Sequence, residues 1–298
     1  MKFTMLGTSA GLPTPDRGLP AVLFEMEGEF VLFDCGEGTQ RQMMSAGFSL
    51  GRKMRIFITH LHGDHIFGLP GMIHTMNLLH RVNPLEVYGP PGLKEFLEDT
   101  TVSTMSEPSF KLSVSEVSQG RIYCGRNYHV DGVWADHSRP SMAYRLVVGE
   151  TPGHIVPDKM HSLGIPNGRL WRDLKEGRSV IIGGRTVEPS EVLREPSCGK
   201  IVVYSGDTKP SPAVEALASG ADILIHEATF LSDREEIADR EGHSTARGAA
   251  LVALRAGAKK LLLTHISARY PNAGDVLDEA KAIFPGAEVA EDLGVYEL

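Results

Sequence analysis

His60-Leu61-His62-Gly63-Asp64-His65 sets three histidines and one aspartate within six positions. It follows Met54-Arg55-Ile56-Phe57-Ile58-Thr59, an apolar stretch that reads as a buried strand. Imidazole and carboxylate are ligands for a borderline divalent metal such as zinc. A cluster just past a strand end can converge several such ligands on one small volume. Clusters of this composition mark metal or catalytic sites far more than solvated loops.

Outward from this hexad the same pattern recurs. Lys200–Tyr204 runs into Ser205-Gly206-Asp207-Thr208, Asp222–Ile225 into His226-Glu227-Ala228-Thr229, and Lys260–Thr264 into His265. A strand at Gly132–Trp134 precedes Asp136-His137-Ser138, while His243 sits apart from any strand. Short apolar runs bounded by polar turns fit strands buried on both faces. Polar residues just past several strand ends point to one shared site along a sheet edge. Helices are expected at Leu69–Arg81, stopping before Asn83-Pro84, and at Ala213–Ala218, Ser244–Ala256 and Asp275–Phe284. The interleaving gives an α/β class, with two sheets sandwiched by helices.

The 298 residues are 42% hydrophobic, ample for a large core in one or two domains. No stretch approaches the roughly 18–20 apolar residues of a membrane span, and the N-terminus lacks a signal-peptide pattern. Cys35, Cys124 and Cys198 are odd in number and form no C-x-x-C pair, which suits a reducing cytoplasm. Each is expected to be a packing residue. A net charge of −8 makes the chain a poor general binder of nucleic acid. Gly149–Gly199, rich in glycine and proline, is too long for an ordinary connection and reads as an insertion. Within it, Arg169 to Arg185 holds five basic residues against two acidic ones. Asp34, after Phe30-Val31-Leu32-Phe33, reads as a support that hydrogen-bonds to the hexad loop. His74, His80, His129, His154, His161 and His226 read as ordinary histidines.

The His-Leu-His-Gly-Asp-His run resembles the signature of the metallo-β-lactamase superfamily. Within it, Leu32 to Gln42 (LFDCGEGTQRQ), His60 to Gly71 (HLHGDHIFGLPG), Tyr88 to Leu93 (YGPPGL), Ser205 to Thr208, His226 to Thr229 (HEAT), Gly242 to Thr245 (GHST) and Thr264 to Tyr270 (THISARY) resemble ribonuclease Z, in the same order. The resemblance covers nearly the whole chain. It implies a metallo-β-lactamase-type αββα sandwich, a single domain over 1–298 with an inserted flexible arm at about 149–199. It implies a zinc-dependent endoribonuclease that removes the 3′ trailer of precursor tRNA, leaving a 3′-hydroxyl on the tRNA and a 5′-phosphate on the trailer.

Two Zn2+ per chain are implied, one held by His60, His62 and His137, one by Asp64, His65 and His265, with Asp207 bridging. Asp64 would accept the proton of the attacking water, and Glu227 with His243 would protonate the leaving oxygen. Support of a metal ligand is the plainer reading of Glu227. The arm would grip the tRNA body through Arg169, Arg172, Lys175 and Arg178. The Gly-Pro step common in such arms is Gly168-Arg169 here. A homodimer, no membrane and a cytoplasmic location complete what is implied. The rival readings are a superfamily phosphodiesterase or arylsulfatase acting on small esters, and a non-catalytic binder on the same fold.

Overall fold

The computed structural model describes residues 1–102, 104, 108–151, 155–193 and 197–298. It falls into two compact units, Met1–Cys124 with His129–Leu146 and Ile201–Leu298, and Gly125–Tyr128 with Val147–Lys200.

The large unit is built on two seven-stranded sheets. The first runs, edge to edge, Val295–Glu297, Lys2–Gly7, Ala21–Met26, Glu29–Phe33, Met54–Phe57, Leu85–Gly89, Leu112–Glu116. It is antiparallel up to Glu29–Phe33 and parallel from there on. The second runs Ala287–Val289, Leu261–Thr264, Ile223–Glu227, Ser197–Tyr204, Ser141–Thr151, Tyr128–Ala135, Gly120–Cys124, and its first four strands are parallel.

Period-two alternation sorts the side chains into layers. In Glu29–Phe33 and Met54–Phe57, Phe30, Leu32, Met54 and Ile56 join a core with Met43, Leu69, Met72, Ile73, Met76 and Leu97 of the helices Thr39–Ser45, Gly68–Leu78 and Leu93–Val102. Their neighbours Phe33 and Phe57 point the other way. Phe33 stacks on Tyr144 and Tyr204 of the second sheet at 5.5 and 5.9 Å, and Phe57 meets Tyr144 edge-on at 5.7 Å. Aromatic rings thus fill the space between the sheets. Beyond the second sheet lies an alanine-rich core with the helices Pro212–Leu217, Ala246–Ala256 and Gly274–Lys281. The layers are helix, sheet, sheet, helix, as expected.

Helix ends moved for local reasons. The helix expected from Ser244 begins at Ala246, because the Thr245 side chain accepts from Gly248 N–H (3.0 Å) as its cap. Ser244 instead donates to the Thr208 carbonyl (2.7 Å). The helix expected to reach Arg81 ends at Leu78. His80 takes φ 53°, and the buried Arg81 guanidinium turns back to the carbonyls of Leu50, Arg52, Asn83 and Pro84. Cys35 is buried, but Cys124 is exposed rather than packed, since it ends an edge strand. His154 and the side chain of Cys198 lie outside the described residues.

The small unit has its own core of Met160, Ile165, Leu174, Val180, Val187 and Val192. The helices Pro157–Ser162, Arg169–Lys175 and Pro189–Val192 surround a hairpin of Val180–Ile182 and Arg185–Val187. Gly183 and Gly184 turn that hairpin with φ 56° and 81°, values a two-residue hairpin turn demands. No helix among the described residues is long and apolar enough to cross a membrane.

Phe33 touches rings from both sheets, so truncating it opens a cavity at their interface. Phe33→Ala should cost about 3–5 kcal/mol, read as a lower midpoint in denaturant-induced unfolding.

Candidate metal centre

Every candidate metal ligand arrives at or just past the C-terminal end of a strand, while His243 comes from the loop between the helices Glu235–Glu241 and Ala246–Ala256. His60 to His65 follow Met54–Phe57, and His137 follows Tyr128–Ala135. Asp207 follows Ser197–Tyr204, Glu227 ends Ile223–Glu227, and His265 follows Leu261–Thr264. Parallel strands pointing the same way bring these positions together from across the sequence.

The ligand atoms form two adjoining groups, His60, His62, His137 with Asp207, and Asp64, His65 with His265, each within 4.8 Å. His62 Nδ1 lies 3.0 Å from His60 Nε2 and 3.2 Å from His137 Nε2. His65 Nε2 and His265 Nε2 are 3.3 Å apart. Asp64 Oδ2 is 3.5 and 3.3 Å from those two nitrogens. Asp207 reaches both groups, with Oδ2 at 3.6 Å from His60 and 3.3 Å from His65, and Oδ1 at 3.4 Å from His265. Zinc–nitrogen bonds of about 2.0–2.1 Å in a tetrahedron separate neighbouring ligands by roughly 3.3 Å, the spacing seen here.

The imidazoles are also oriented for a metal. In four of them Nδ1 meets a protein oxygen: Thr59 Oγ1 for His60 (3.0 Å), Asp34 Oδ2 for His65 (2.8 Å), the Gly242 carbonyl for His137 (2.6 Å) and Thr229 Oγ1 for His265 (2.8 Å). A carboxylate or carbonyl can only accept, and the Thr59 and Thr229 hydroxyls are drawn to donate to Asp34 and Glu227. Each Nδ1 is then the protonated nitrogen, and four Nε2 lone pairs converge on the cluster, where only His62 Nδ1 and, at 3.4 Å from His137, the Ser138 hydroxyl stand near any of them as possible donors among the described residues. Asp207 Oδ1 is fully buried without a hydrogen-bond partner. Such an arrangement is unfavourable without a cation and fits one well.

Glycines let the backbone approach closely enough to build this. Gly68 N–H donates to the Cys35 carbonyl and Cys35 N–H to the His65 carbonyl. A Cβ on Gly68 would lie 2.0 Å from the Gly36 oxygen. Gly242, at φ 79°, presents its carbonyl to His137, and a Cβ there would meet Ser138 N at 2.7 Å.

Two family models match parts of the chain, that of the anti-Pycsar protein Apyc1 over residues 1–137 and that of the beta-lactamase superfamily domain over residues 192–266. A ribonuclease Z from Methanothermobacter thermautotrophicus is 43% identical over 298 residues, covering 100% of this chain and 97% of its own. One from Methanosarcina acetivorans is 40% identical over 299 residues, covering 100% and 98%. The chain belongs to the ribonuclease Z family. The crystal structure of human tRNase Z, short form, is similar over 100% of this chain and 99% of its own, with TM-score 0.73 and 30% identity.

Beside the ligand groups of this ribonuclease Z homologue, buried Glu227 pairs with partly exposed His243. His243 Nδ1 lies 2.9 Å from Glu227 Oε1, which also accepts from Thr208 N–H (2.8 Å). Glu227 Oε2 accepts from the Thr229 hydroxyl (2.6 Å). Burial acts to lower the His243 pKa, but the Glu227 carboxylate outweighs it and pushes the pKa up to about 9. With Nδ1 committed to Glu227, Nε2 is the nitrogen left to meet a substrate. His243, Asp64, Asp207 and His265 line a cleft of ≈ 570 Å³. Glu227 thus touches His243 directly and His265 through Thr229.

Three supports went unseen in the sequence. Tyr204 donates to Asp34 Oδ2 (2.9 Å), Thr229 bridges Glu227 and His265, and Gly11 N–H donates to Asp64 Oδ2 (2.9 Å). Tyr204 ends an apolar strand and reads as core. Thr229 stands within the His-Glu-Ala-Thr element, where its position was the only available signal. Asp34, in contrast, does what its position suggested. At φ 57° it accepts from Thr59 N–H (2.7 Å), the Thr59 hydroxyl, His65 Nδ1 and Tyr204.

The cations of the small unit differ among themselves. Arg169, Arg172 and Lys175 are exposed on the helix Arg169–Lys175, opposite buried Leu174. Arg178 is paired with Asp173 (2.6 Å) and Glu176 (2.5 Å) within its own unit.

Asp34→Asn removes the charge and turns an amide toward donors. It should lower stability by about 2–3 kcal/mol in chemical denaturation and reduce bound metal in elemental analysis. Unchanged metal content would show that His65 is oriented by other means.

Proposed function

We propose that this protein is a zinc-dependent tRNA 3′-endonuclease that cuts the trailer from precursor tRNA, leaving a 3′-hydroxyl on the tRNA and a 5′-phosphate on the trailer. The observation that carries it is the Glu227–His243 pair set against a doubled ligand cluster, in a chain that resembles ribonucleases Z along its whole length. His60, His62 and His137 would hold one zinc, Asp64, His65 and His265 the second, and Asp207 both. When bound, the two ions would lower the pKa of the attacking water and neutralise charge on the phosphate.

The chain's own residues do the rest. Asp64 turns Oδ2 toward His65 and His265, which leaves Oδ1 to accept the proton of the attacking water. The departing 3′-oxygen needs a proton, and His243 can donate one from Nε2 while Glu227 stabilises the imidazolium. Burial of Glu227 and its hydrogen bonds to Thr208 and Thr229 hold that pair in one orientation.

We assign the small unit as the arm that grips the tRNA body. Arg169, Arg172 and Lys175 recur every three residues along one helix face and suit phosphate contacts. Arg178 is better placed to fold the arm than to bind RNA. A homodimer and a cytoplasmic location belong to the same reading. They are supported by the resemblance and by the cysteine pattern.

Pure protein with end-labelled precursor tRNA should release a trailer whose 5′ end is phosphorylated. Chelator should abolish the cut and zinc restore it. Elemental analysis should find close to two metals per chain, and Asp207→Ala should lose both metal and cleavage. Full activity in chelator would sink the reading.

Replacing Arg169, Arg172 and Lys175 together by alanine should raise KM for precursor tRNA about tenfold or more, and flatten its dependence on salt. Adding Arg178→Ala should instead lower the melting temperature. The triple variant should change turnover of bis(p-nitrophenyl) phosphate far less. Equal loss on both substrates would argue against an RNA-gripping arm.

A further inference from the structure

Two cavities, each of ≈ 500 Å³, adjoin the ligand cluster on the side of His62 and His137. His62 lines one, His137 and Trp134 line the other, and Pro91, Arg139 and Pro140 line both. They therefore form one groove, leading from two candidate metal ligands to an indole ring. It shares no lining residue with the cleft that holds Asp64, His243 and His265. A strand whose phosphate lies on the cluster thus has two separate troughs to enter, one for each flank of the scissile bond.

The chemistry of the groove is particular. Its walls are mostly apolar, with Leu61, Pro91, Trp134, Ala135 and Pro140, and Arg139, the cation among its lining residues, is exposed. Among the described residues, Arg139 has no acidic partner, and Trp134 stacks on no other ring and donates no hydrogen bond. Trp134 lies in the strand Tyr128–Ala135, three residues before His137, and Arg139 follows two residues past it, so both flank the strand end that delivers a candidate ligand. An indole face beside a free guanidinium is the pairing that holds single-stranded nucleic acid, the base on the ring and the phosphate on the cation. Stacking needs no particular base, and a cut beside trailers of varied sequence requires that tolerance.

We propose that this groove holds the nucleotide adjoining the scissile phosphate, with its base stacked on Trp134 and its phosphate paired to Arg139. The proposal rests on the RNA-cleaving reading and adds to it a subsite for one base. Trp134 and Arg139 are substrate-positioning residues here, and neither takes part in the proton transfers. The nucleotide can belong to the tRNA end or to the trailer, and the experiment separates the two.

The test uses full-length protein, intact precursor tRNA, and two precursors with a single abasic nucleotide immediately 5′ or 3′ of the cut. Trp134→Ala should lower kcat/KM on the intact precursor by roughly 5- to 150-fold, mostly through KM, and Trp134→Phe should keep most of the activity. Arg139→Ala should lower it further and reduce the salt slope by about one. One abasic precursor should be cut poorly by the wild type yet cost Trp134→Ala little more, a non-additive pair that marks which flank occupies the groove. Strict additivity with both abasic precursors would overturn the proposal. So would equal losses for Trp134→Ala and Trp134→Phe. If Trp134→Ala lost metal or melted early, the wild type alone would decide, since indifference to both abasic changes leaves no base to stack. Failure of the RNA-cleaving reading looks different, because the wild type would then leave the intact precursor uncut.

Discussion

The carboxylate of Asp34 is the constraint around which the rest is arranged. It sits just past the strand Glu29–Phe33 in a left-handed backbone conformation that costs a non-glycine residue about 1 kcal/mol or more. Its two oxygens gather the start of the hexad through Thr59, the end of the hexad through His65, and the second sheet through Tyr204. One buried anion thereby sets the tautomer of a candidate ligand and ties together the two sheets that deliver all the others. Burial of so many polar groups is tolerable because most find a partner, and a metal would satisfy Asp207 Oδ1, which does not.

Much of this was legible because chemistry and hydrophobicity sit side by side in the chain. Apolar runs that end abruptly in His, Asp or Glu declare both a strand and the direction in which its payload points. That is why His60, Asp207, Glu227 and His265 could be found and the sheets drawn around them. The supports were harder to see, because a tyrosine or threonine at a strand end looks like core until its partner is known. Tyr204 and Thr229 gain meaning only from residues 170 and 36 positions away. The small unit shows the same limit in charge. Five basic residues read alike in sequence, yet folding spends Arg178 on Asp173 and Glu176 and leaves Arg169 exposed.

An acidic protein that binds RNA must place its positive charge where the chain will touch it. With a net charge of −8, long-range attraction works against a polyanion. Local cations on the helix Arg169–Lys175, Arg139 and Arg269 beside the cluster, and the ions the cluster would hold can answer this. Repulsion elsewhere then keeps nucleic acid off surfaces that cannot cut it. Affinity achieved this way is short-range and geometric, so it favours a folded RNA that meets several of these points together over a flexible strand that meets one.

The Glu227–Thr229–His265 contacts join the candidate proton donor to a candidate metal ligand. Glu227 Oε1 faces His243, and Oε2 receives the hydroxyl of Thr229, which in turn accepts from His265 Nδ1. A shift in His265 therefore moves the carboxylate that orients His243. Because His265 also carries φ 55°, its ring is held by backbone and side chain together. The candidate proton donor and one candidate ligand, His265, are thus held by one carboxylate, directly and through Thr229. Loss of either contact should disturb the other.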